Sequence, residues 1–430
     1  MRKTRKQGIL TALLLLLSLT GAGCEDNGKT NDPAQTSQEE RAETAMKAGT
    51  LSYGYFFEKD GILVSAGERF LYSDWEPVEF DYICMDPTCT HLNDNCSARA
   101  VQDEAGTLKD FSLLYQDRLI ILHVYSQNVL HDFSEEVWDY SIMYQTEVYE
   151  ADPDGSNRKK VAAFSGTIEV PAIPHAAVLA DGKLYFGGPT EVRSRIEQDI
   201  QGGGQKSRTW VSAAVYCLDL NDYTIETFTV MEDKEGTPAY LYPIYEYDGM
   251  IYWMIHFIQD DSSVLYRSDP VGGICEEILR FDSSAVMFGG VIGDTVYYWY
   301  ENGEKTFYAR DIATGAEERE IMTVPGEGRV VISFVLDGQL LIMTDRCMEG
   351  ADRMAEYTVL DPEGKALDTI RYDDYITFMD VVGDKIIYFK LNSDSEWEIW
   401  WVDKADLKDL TQKGVRLGPL NGANLDALED

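Results

Sequence analysis

A short unit that recurs seven times constrains the fold of this chain more than any other feature of its sequence. Each copy begins with a two-residue turn, most often Asp-Gly, and continues into an apolar strand, as in "ADGKLYFGG" and "LDGQLLIMTD". Asp-Gly suits a tight hairpin because both residues tolerate the positive φ that such turns require. The turn aspartates are Asp60, Asp117, Asp181, Asp248, Asp294, Asp337 and Asp384. The pattern therefore predicts a regular series of β-hairpins.

The spacing of these units predicts a β-propeller. Each unit is followed by a second strand and another turn, as in "VYEADPDGSNRKKV", and the period is about 45 residues in the C-terminal half. Repeats of this length are typical of four-stranded propeller blades. We therefore expect an all-β fold, a propeller of seven four-stranded blades over residues 48–412, with residues 413–430 as a tail or closing segment. A pair of β-sandwiches is the alternative, but it does not explain the constant order of turn and strand.

Two insertions lengthen the second and third repeats. They read "SQNVLHDFSEEVWDYSIM" and "VRSRIEQDIQGGGQKSRTW". The three consecutive glycines in the second insertion indicate flexibility. We expect both insertions to be loops on the rim or face of the propeller.

The N-terminus, "MRKTRKQGILTALLLLLSLTGAGC", combines basic residues, a short apolar run and small residues before a cysteine. The apolar run is too short for a permanent membrane helix and is typical of a signal peptide. It resembles a bacterial lipoprotein signal covering residues 1–23, although Gly21 replaces the usual aliphatic residue. That resemblance implies a Cys24 carrying acyl chains such as palmitate, whereas an ordinary signal peptide would be cleaved nearby without lipidation. Residues 24–47 are polar and predict a disordered tether. We therefore expect a protein held by lipid at the extracytoplasmic face of the cell membrane.

The charge balance limits the classes of partner. The chain carries 37 basic and 75 acidic residues. Loss of residues 1–23 would leave 33 basic residues against the same 75 acidic ones, a net charge of −42. Nucleic acids and anionic lipid surfaces repel so acidic a protein, so a nucleic-acid partner is excluded.

The segment "ICMDPTCTHLNDNC" places Cys84, Cys89, His91 and Cys96 within fourteen residues. Thiolate and imidazole are the ligands that structural zinc prefers, and four of them complete a tetrahedral site. A disulfide, with Cys89–Cys96 as the shortest loop, is the alternative that an extracytoplasmic location favours. A catalytic cysteine is disfavoured because Asp86 and Asp94 surround the thiols with negative charge. The motif predicts a structural metal site or a disulfide and no catalytic residue.

Other candidate binding residues are aromatic or imidazole side chains near strand ends. Trp253, Trp299 and Trp397 could form stacking platforms at the mouth of a propeller channel, and His175 could face that channel. Packing between blades is the alternative for each of the four. The 75 acidic residues do not single out a catalytic carboxylate pair, and neither a sialidase Asp-box nor a Gly-x-Ser-x-Gly motif occurs.

The stretch "VYEADPDGSNRKKV" resembles the repeat of YWTD-like propellers and of the Tol-system periplasmic propeller protein. Together with the N-terminal signal, the tether and the Cys/His motif, it resembles a group of uncharacterised β-propeller lipoproteins of Gram-positive gut bacteria. The resemblance implies fold and location. We expect a non-enzymatic module that binds a glycan, a peptide or an envelope protein. The alternatives are a glycoside hydrolase or lyase with carboxylates at the channel mouth, and an envelope-assembly scaffold.

Overall fold

The computed structural model describes most of the chain from residue 47 onward. The described residues are 47–52, 55–66, 69–76, 78–91, 95–101, 107–134, 137–168, 177–199, 204–231, 239–241, 244–257, 261–271, 274–300, 305–324, 332–347, 353–392 and 396–419. Cys24, His175 and the predicted signal and tether lie outside them. Within the described residues no helix is long and apolar enough to cross a membrane.

The first three repeats contribute the longest strands. Repeat 1 consists of β1 Lys47–Ser52, β2 Tyr55–Glu58, β3 Gly61–Ala66, β4 Arg69–Asp74 and β5 Asp81–Tyr82. Repeat 2 consists of β6 Thr107–Tyr115, β7 Arg118–Phe133, β8 Val137–Ala151 and β9 Lys159–Ser165. Repeat 3 consists of β10 Ala177–Ala180, β11 Lys183–Asp199, β12 Gly204–Asp219 and β13 Ile225–Met231.

The remaining repeats are shorter and more regular. Repeat 4 consists of β14 Ala239–Leu241, β15 Tyr245–Tyr247, β16 Met250–Phe257, β17 Ser262–Asp269 and β18 Ile274–Phe281. Repeat 5 consists of β19 Val286–Ile292, β20 Thr295–Tyr300, β21 Thr306–Asp311 and β22 Arg319–Thr323. Repeat 6 consists of β23 Ser333–Leu336, β24 Gln339–Cys347, β25 Met354–Leu360 and β26 Ala366–Tyr372. Repeat 7 consists of β27 Ile376–Val382, β28 Lys385–Leu391, β29 Trp397–Asp403, a 3-10 turn Lys404–Asp409, the short helix α1 Leu410–Lys413 and β30 Val415–Pro419.

The fold is an all-β β-propeller, as predicted, but the count of seven separate blades is wrong. Hydrogen bonding divides the described strands into five sheets, of which one has 13 strands. That sheet contains the strands of the first three repeats because β1 pairs with β10 and β8 pairs with β11. The other four sheets correspond to repeats 4 to 7, and β30 supplies the last strand beyond the expected boundary at residue 412.

The hairpin turns form where the repeat pattern predicts them. Asp181 and Gly182 have φ angles of 48° and 71°, and Asp337 and Gly338 have 47° and 72°. Positive φ at both central residues is the type I′ geometry whose twist matches that of the flanking strands. The repeated turn chemistry thus determines where each strand reverses.

The core lies between successive repeats. Six clusters of buried side chains each join adjacent repeats, and together they run from repeat 1 to repeat 7. One of these clusters packs repeat 1 against repeat 7, where Trp75 and Trp401 meet edge to face with ring centroids 5.3 Å apart. Side-chain packing therefore closes the ring between its first and last repeats.

The expectation of loops in the two insertions is wrong for the residues that the structure describes. They extend β7 with β8 and β11 with β12 into long hairpins, and β8 pairs with β11 from Glu191↔Met143 to Glu197↔Val137. We call the resulting four-stranded part, residues 126–134, 137–144, 191–199 and 204–212, the extension. In β8, "VWDYSIMY" alternates large apolar residues with smaller or polar ones and satisfies the period of two that a half-exposed strand requires.

Candidate metal centre and β-sheet extension

A tight turn after β5 brings the first two cysteines of the motif together. The Asp86 side chain accepts hydrogen bonds from the backbone N–H and the hydroxyl of Thr88, both at 2.8 Å. The Cys89 N–H donates to the Asp86 carbonyl at 3.0 Å. An aspartate that binds the backbone two residues later is a common turn former. Asp86 therefore shapes the loop between Cys84 and Cys89.

His91 is held in an uncommon backbone conformation. Its φ is 57°, in the left-handed region that few residues other than glycine occupy. Its ring stacks on Tyr82 with centroids 4.6 Å apart, and its carbonyl accepts a hydrogen bond from Arg69 Nε at 2.8 Å. These contacts orient the imidazole so that Nδ1 lies 3.6 Å from Cys96 Sγ.

The four side chains of the motif converge on one point. One ligand atom from each of Cys84, Cys89, His91 and Cys96 lies within 4.8 Å of the others. Thiolates about 2.3 Å from zinc at tetrahedral corners are about 3.8 Å apart, so a contraction of about 1 Å would complete such a site. Cys84, Cys89 and Cys96 form no disulfide. The donor set fits a metal ion. The alternative expectation of a Cys89–Cys96 bridge is wrong, because both cysteines are free.

The thiols of the cluster differ in acidity. Burial raises the pKa of Cys84, but hydrogen bonds from the Ser97 side chain and the Asp86 backbone outweigh this and lower its pKa overall. Burial raises the pKa of the Cys96 thiol to about 11. A divalent cation would favour the thiolate form of every ligand, since a coordinating thiol loses its proton.

The cluster also touches repeat 2. The Arg158 guanidinium donates to the Ser97 carbonyl and to the Gly155 carbonyl, and it lies 5.6 Å from the centroid of the Phe70 ring. The Val101 N–H donates to Asp110 Oδ2 at 2.5 Å. The segment that carries the cysteines is thus fixed on one side to repeat 1 and on the other to repeat 2.

A buried hydrogen bond between Asp110 and His123 lies behind this contact. Asp110 Oδ1 is 2.6 Å from His123 Nδ1, and the two side chains are 3% and 1% exposed. Asp110 therefore bonds both His123 and the backbone of the cysteine segment. The pair anchors that segment to β6 and β7.

The extension has one apolar face. Residues opposite each other on antiparallel strands share a face. Phe133, Trp138 and Ile196 form one such row, and the neighbouring row contains Leu130 and Tyr140. Leu130 is 62% exposed, Phe133 65% and Trp138 39%. Large apolar side chains this exposed and this close together are uncommon on a protein surface and mark interaction sites.

The other face of the extension is polar and internally paired. Asp139 is 3% exposed and accepts two hydrogen bonds from Arg193, both at 2.9 Å. This hydrogen bonding lowers the pKa of Asp139. The pair of Arg193 and Asp139 links β11 to β8. The polar face therefore stabilises the sheet that carries the apolar face.

The aromatic residues predicted as binding platforms lie elsewhere. Trp253 is fully buried between Phe228 and Tyr266, with centroids at 6.1 and 5.8 Å. Trp299 is 8% exposed, and Trp397 is half-buried against Tyr375. Trp253 and Trp299 therefore take the packing role that was the alternative for each of them.

Sequence reasoning missed the exposed side chains of the extension. From sequence, Leu130, Phe133 and Trp138 are expected in a loop, yet "VWDYSIMY" contains the alternation of a strand. That alternation was the available signal. The close approach of the two hairpins, which turns them into one sheet, is a tertiary feature.

The similarity of the chain to solved structures is confined to the propeller type of fold. No sequence-family model and no curated protein matches the chain. A dipeptidyl peptidase 4 from Porphyromonas gingivalis is 11% identical with a TM-score of 0.41, covering 89% of this chain and 61% of the peptidase. TolB from Acinetobacter baumannii is 10% identical with a TM-score of 0.28, covering 75% of this chain and 62% of TolB. The β-propeller domain of the Trilobed protease from Pyrococcus furiosus is 12% identical with a TM-score of 0.30, covering 70% of this chain and 99% of that domain. The chain thus spans about three fifths of the peptidase and of TolB.

Proposed function

We propose that the protein is a lipid-anchored, extracytoplasmic β-propeller that binds another protein of the cell envelope through its extension. The exposed apolar face around Leu130, Phe133 and Trp138 carries this proposal. Keeping these side chains in water forgoes about 1.5–3 kcal/mol of burial free energy for each. A partner that covers them recovers this free energy.

A structural zinc ion at the Cys/His cluster forms the second part of the proposal. Cys84, Cys89, His91 and Cys96 would hold it, and the closed set of four ligands leaves no position for a substrate. The ion would have a structural role, because it would link the two ends of the cysteine segment after repeat 1 and make that segment rigid. Arg158 and Asp110 then connect that segment to repeat 2.

The location rests on the N-terminal sequence. The signal-like residues before Cys24 and the polar stretch after it support a lipid anchor with a tether. A flexible tether of this length has a root-mean-square reach on the order of 30 Å, which is enough to present the propeller above a bilayer.

Site-specific photo-crosslinking tests the binding role. A photoreactive residue replaces Leu130 in the full chain, which is expressed in its native host and irradiated. The matched control replaces Leu367, which is 50% exposed on β26 in repeat 6. We expect a discrete crosslinked protein from position 130 that is absent from position 367. Equal products at both positions, or none at position 130, would contradict a binding role for the extension.

A further inference from the structure

The outer edge of the extension is formed by residues 126–133 of β7. β6 pairs with β7 only from Arg118 to Tyr125, whereas β8 pairs with β7 as far as Phe133. In the described part of the chain no strand lies beside residues 126–133 on the side away from β8. Seven consecutive residues, 127–133, are exposed. Among the described residues, this edge therefore has no neighbouring strand to pair with its backbone groups.

Natural sheets usually protect such an edge. Lysine, proline, a bulge or an inward-pointing charge prevents other strands from pairing with it. Residues 126–130 read "SQNVL" and contain none of these residue types, and the first irregularity of the strand comes after Leu130. The edge is therefore open for about five residues, which is the length of an average strand.

We propose that this edge accepts an extended, positively charged segment of the partner protein as an additional β-strand. The inference rests on the proposed binding role and names the chemistry of the partner. Backbone hydrogen bonds to residues 126–133 would supply affinity, and alternate apolar side chains would pack beside Leu130 and Phe133. The added strand would thus cover the row of side chains that the extension leaves exposed.

Charge complementarity identifies the segment as basic. The described residues 126–134 at this edge contain Asp132 and no lysine or arginine. The basic residues of the extension lie on β11 and β12, away from this edge, and Arg193 already pairs with Asp139. The whole chain has a net charge of −38, so it attracts cations at long range.

A second copy of the chain fits the apolar face less well. Four strands at about 4.8 Å spacing and seven residues at about 3.4 Å give roughly 350 Å² of sheet face. A stable interface buries about 800 Å² on each partner. Two copies would also bring together two strongly negative surfaces. An added strand needs less area, since it gains backbone hydrogen bonds as well.

A glycan fits less well because of the ring orientation. Phe133 and Trp138 stack on each other with centroids 5.5 Å apart and an angle of 26° between their planes. Their facing surfaces are already covered by this mutual contact. Packing beside a peptide side chain uses the exposed ring edges, whereas stacking on a sugar needs an open ring face.

Synthetic peptides test the proposal on the full-length protein. The probe is a nonapeptide of alternating valine and lysine, and the first control is the same peptide with alternate backbone nitrogens methylated. The second control replaces lysine with glutamate. We expect the probe to bind and to slow amide hydrogen exchange of residues 126–133. Methylation should weaken binding at least tenfold, because it removes several hydrogen bonds. The glutamate peptide should not bind.

Charge reversal on the protein provides the matched variants. Asp132→Lys should weaken binding of the valine-lysine peptide about three- to tenfold. Glu317→Lys, at an exposed position in repeat 5, should leave it within twofold. Both substitutions change the net charge equally, so a difference between them reports the position of the charge.

Several results would overturn the proposal. These are no binding of the probe at 1 mM, binding without protection of residues 126–133, equal binding of the glutamate peptide, self-association that depends on Leu130, and retention of a neutral glycan that depends on Phe133. If crosslinking at position 130 succeeds while the peptide fails, the binding role stands and strand addition is wrong. If crosslinking fails as well, both are wrong.

Discussion

At the scale of single residues, the proposed metal centre depends on short-range chemistry that few other side chains could supply. Asp86 forms the turn between two ligands, and Tyr82 and Arg69 hold His91 at positive φ. A conformation this uncommon persists only where surrounding contacts stabilise it. The same contacts hold the imidazole beside Cys96, where the proposed ion would bind.

Replacement of one ligand should abolish metal retention. Purified protein should contain about one equivalent of zinc, and Cys89→Ser should contain less than about a tenth of that, because three ligands bind the ion far more weakly than four. Elemental analysis after dialysis measures both. Cys347→Ser, outside the cluster, is the control and should keep the full equivalent. Wild-type protein that is free of metal under these conditions would refute the zinc site.

At the scale of elements, the turn between β8 and β9 packs closely against the cysteine segment. Gly155 has a φ of 78°, and a Cβ at this position would lie 2.1 Å from the Ser97 carbonyl oxygen. Only glycine allows the turn to approach so closely. The Asp-Gly pair in "DPDGSN" therefore serves two purposes, turn formation and contact with the segment before Arg99.

Substitution at this contact should loosen the cysteine segment. Gly155→Ala should lower the free energy of unfolding by about 2–4 kcal/mol, about 1 kcal/mol from the positive φ and the rest from the clash. Gly338→Ala shares the positive φ but has no atom within 4 Å of the added Cβ, so it should cost only about 1 kcal/mol. Urea unfolding measures both. Equal losses would show that the contact with Ser97 contributes nothing.

At the scale of the whole molecule, the strands that the structure describes are not exchanged between the first and last repeats of the ring. All strands of the last sheet come from residues 376–419, whereas β1 pairs with β2 and β10. Closure therefore relies on the side chains that are buried between repeats 1 and 7, including Trp75 and Trp401, whose rings are in contact. The Trp75 indole N–H also donates to the Glu58 carbonyl at 3.0 Å.

A double-mutant cycle should detect this closure. Trp75→Ala and Trp401→Ala should each cost about 3–5 kcal/mol, with a coupling of about 0.5–1.5 kcal/mol between them, because edge-to-face rings interact beyond their burial. Chemical denaturation gives the four free energies. The pair Trp75→Ala and Trp253→Ala, in separate core clusters, should be additive within about 0.5 kcal/mol. An additive Trp75–Trp401 pair would mean that the two rings do not stabilise closure.

Much of the architecture was accessible from sequence because turn chemistry is local. Asp181 and Gly182 form the predicted hairpin turn, and the four candidate ligands are close in space partly because they are close in the chain. The number of separate sheets could not be predicted from local turn chemistry. It depends on the pairing of Glu191 with Met143, two residues from different repeats.

The sequence by itself determined the all-β repeat, the turns, the acidic charge and the ligand set of the metal centre. Each of these depends on residue type and short spacing along the chain. Tertiary structure alone decided that two insertions merge into one sheet and that Trp253 packs while Phe133 stays exposed. It also decided that no strand in the described part of the chain pairs with the outer edge of residues 126–133. The physical reason is that pairing and burial depend on which distant strands meet, and nothing within a single strand specifies its neighbour.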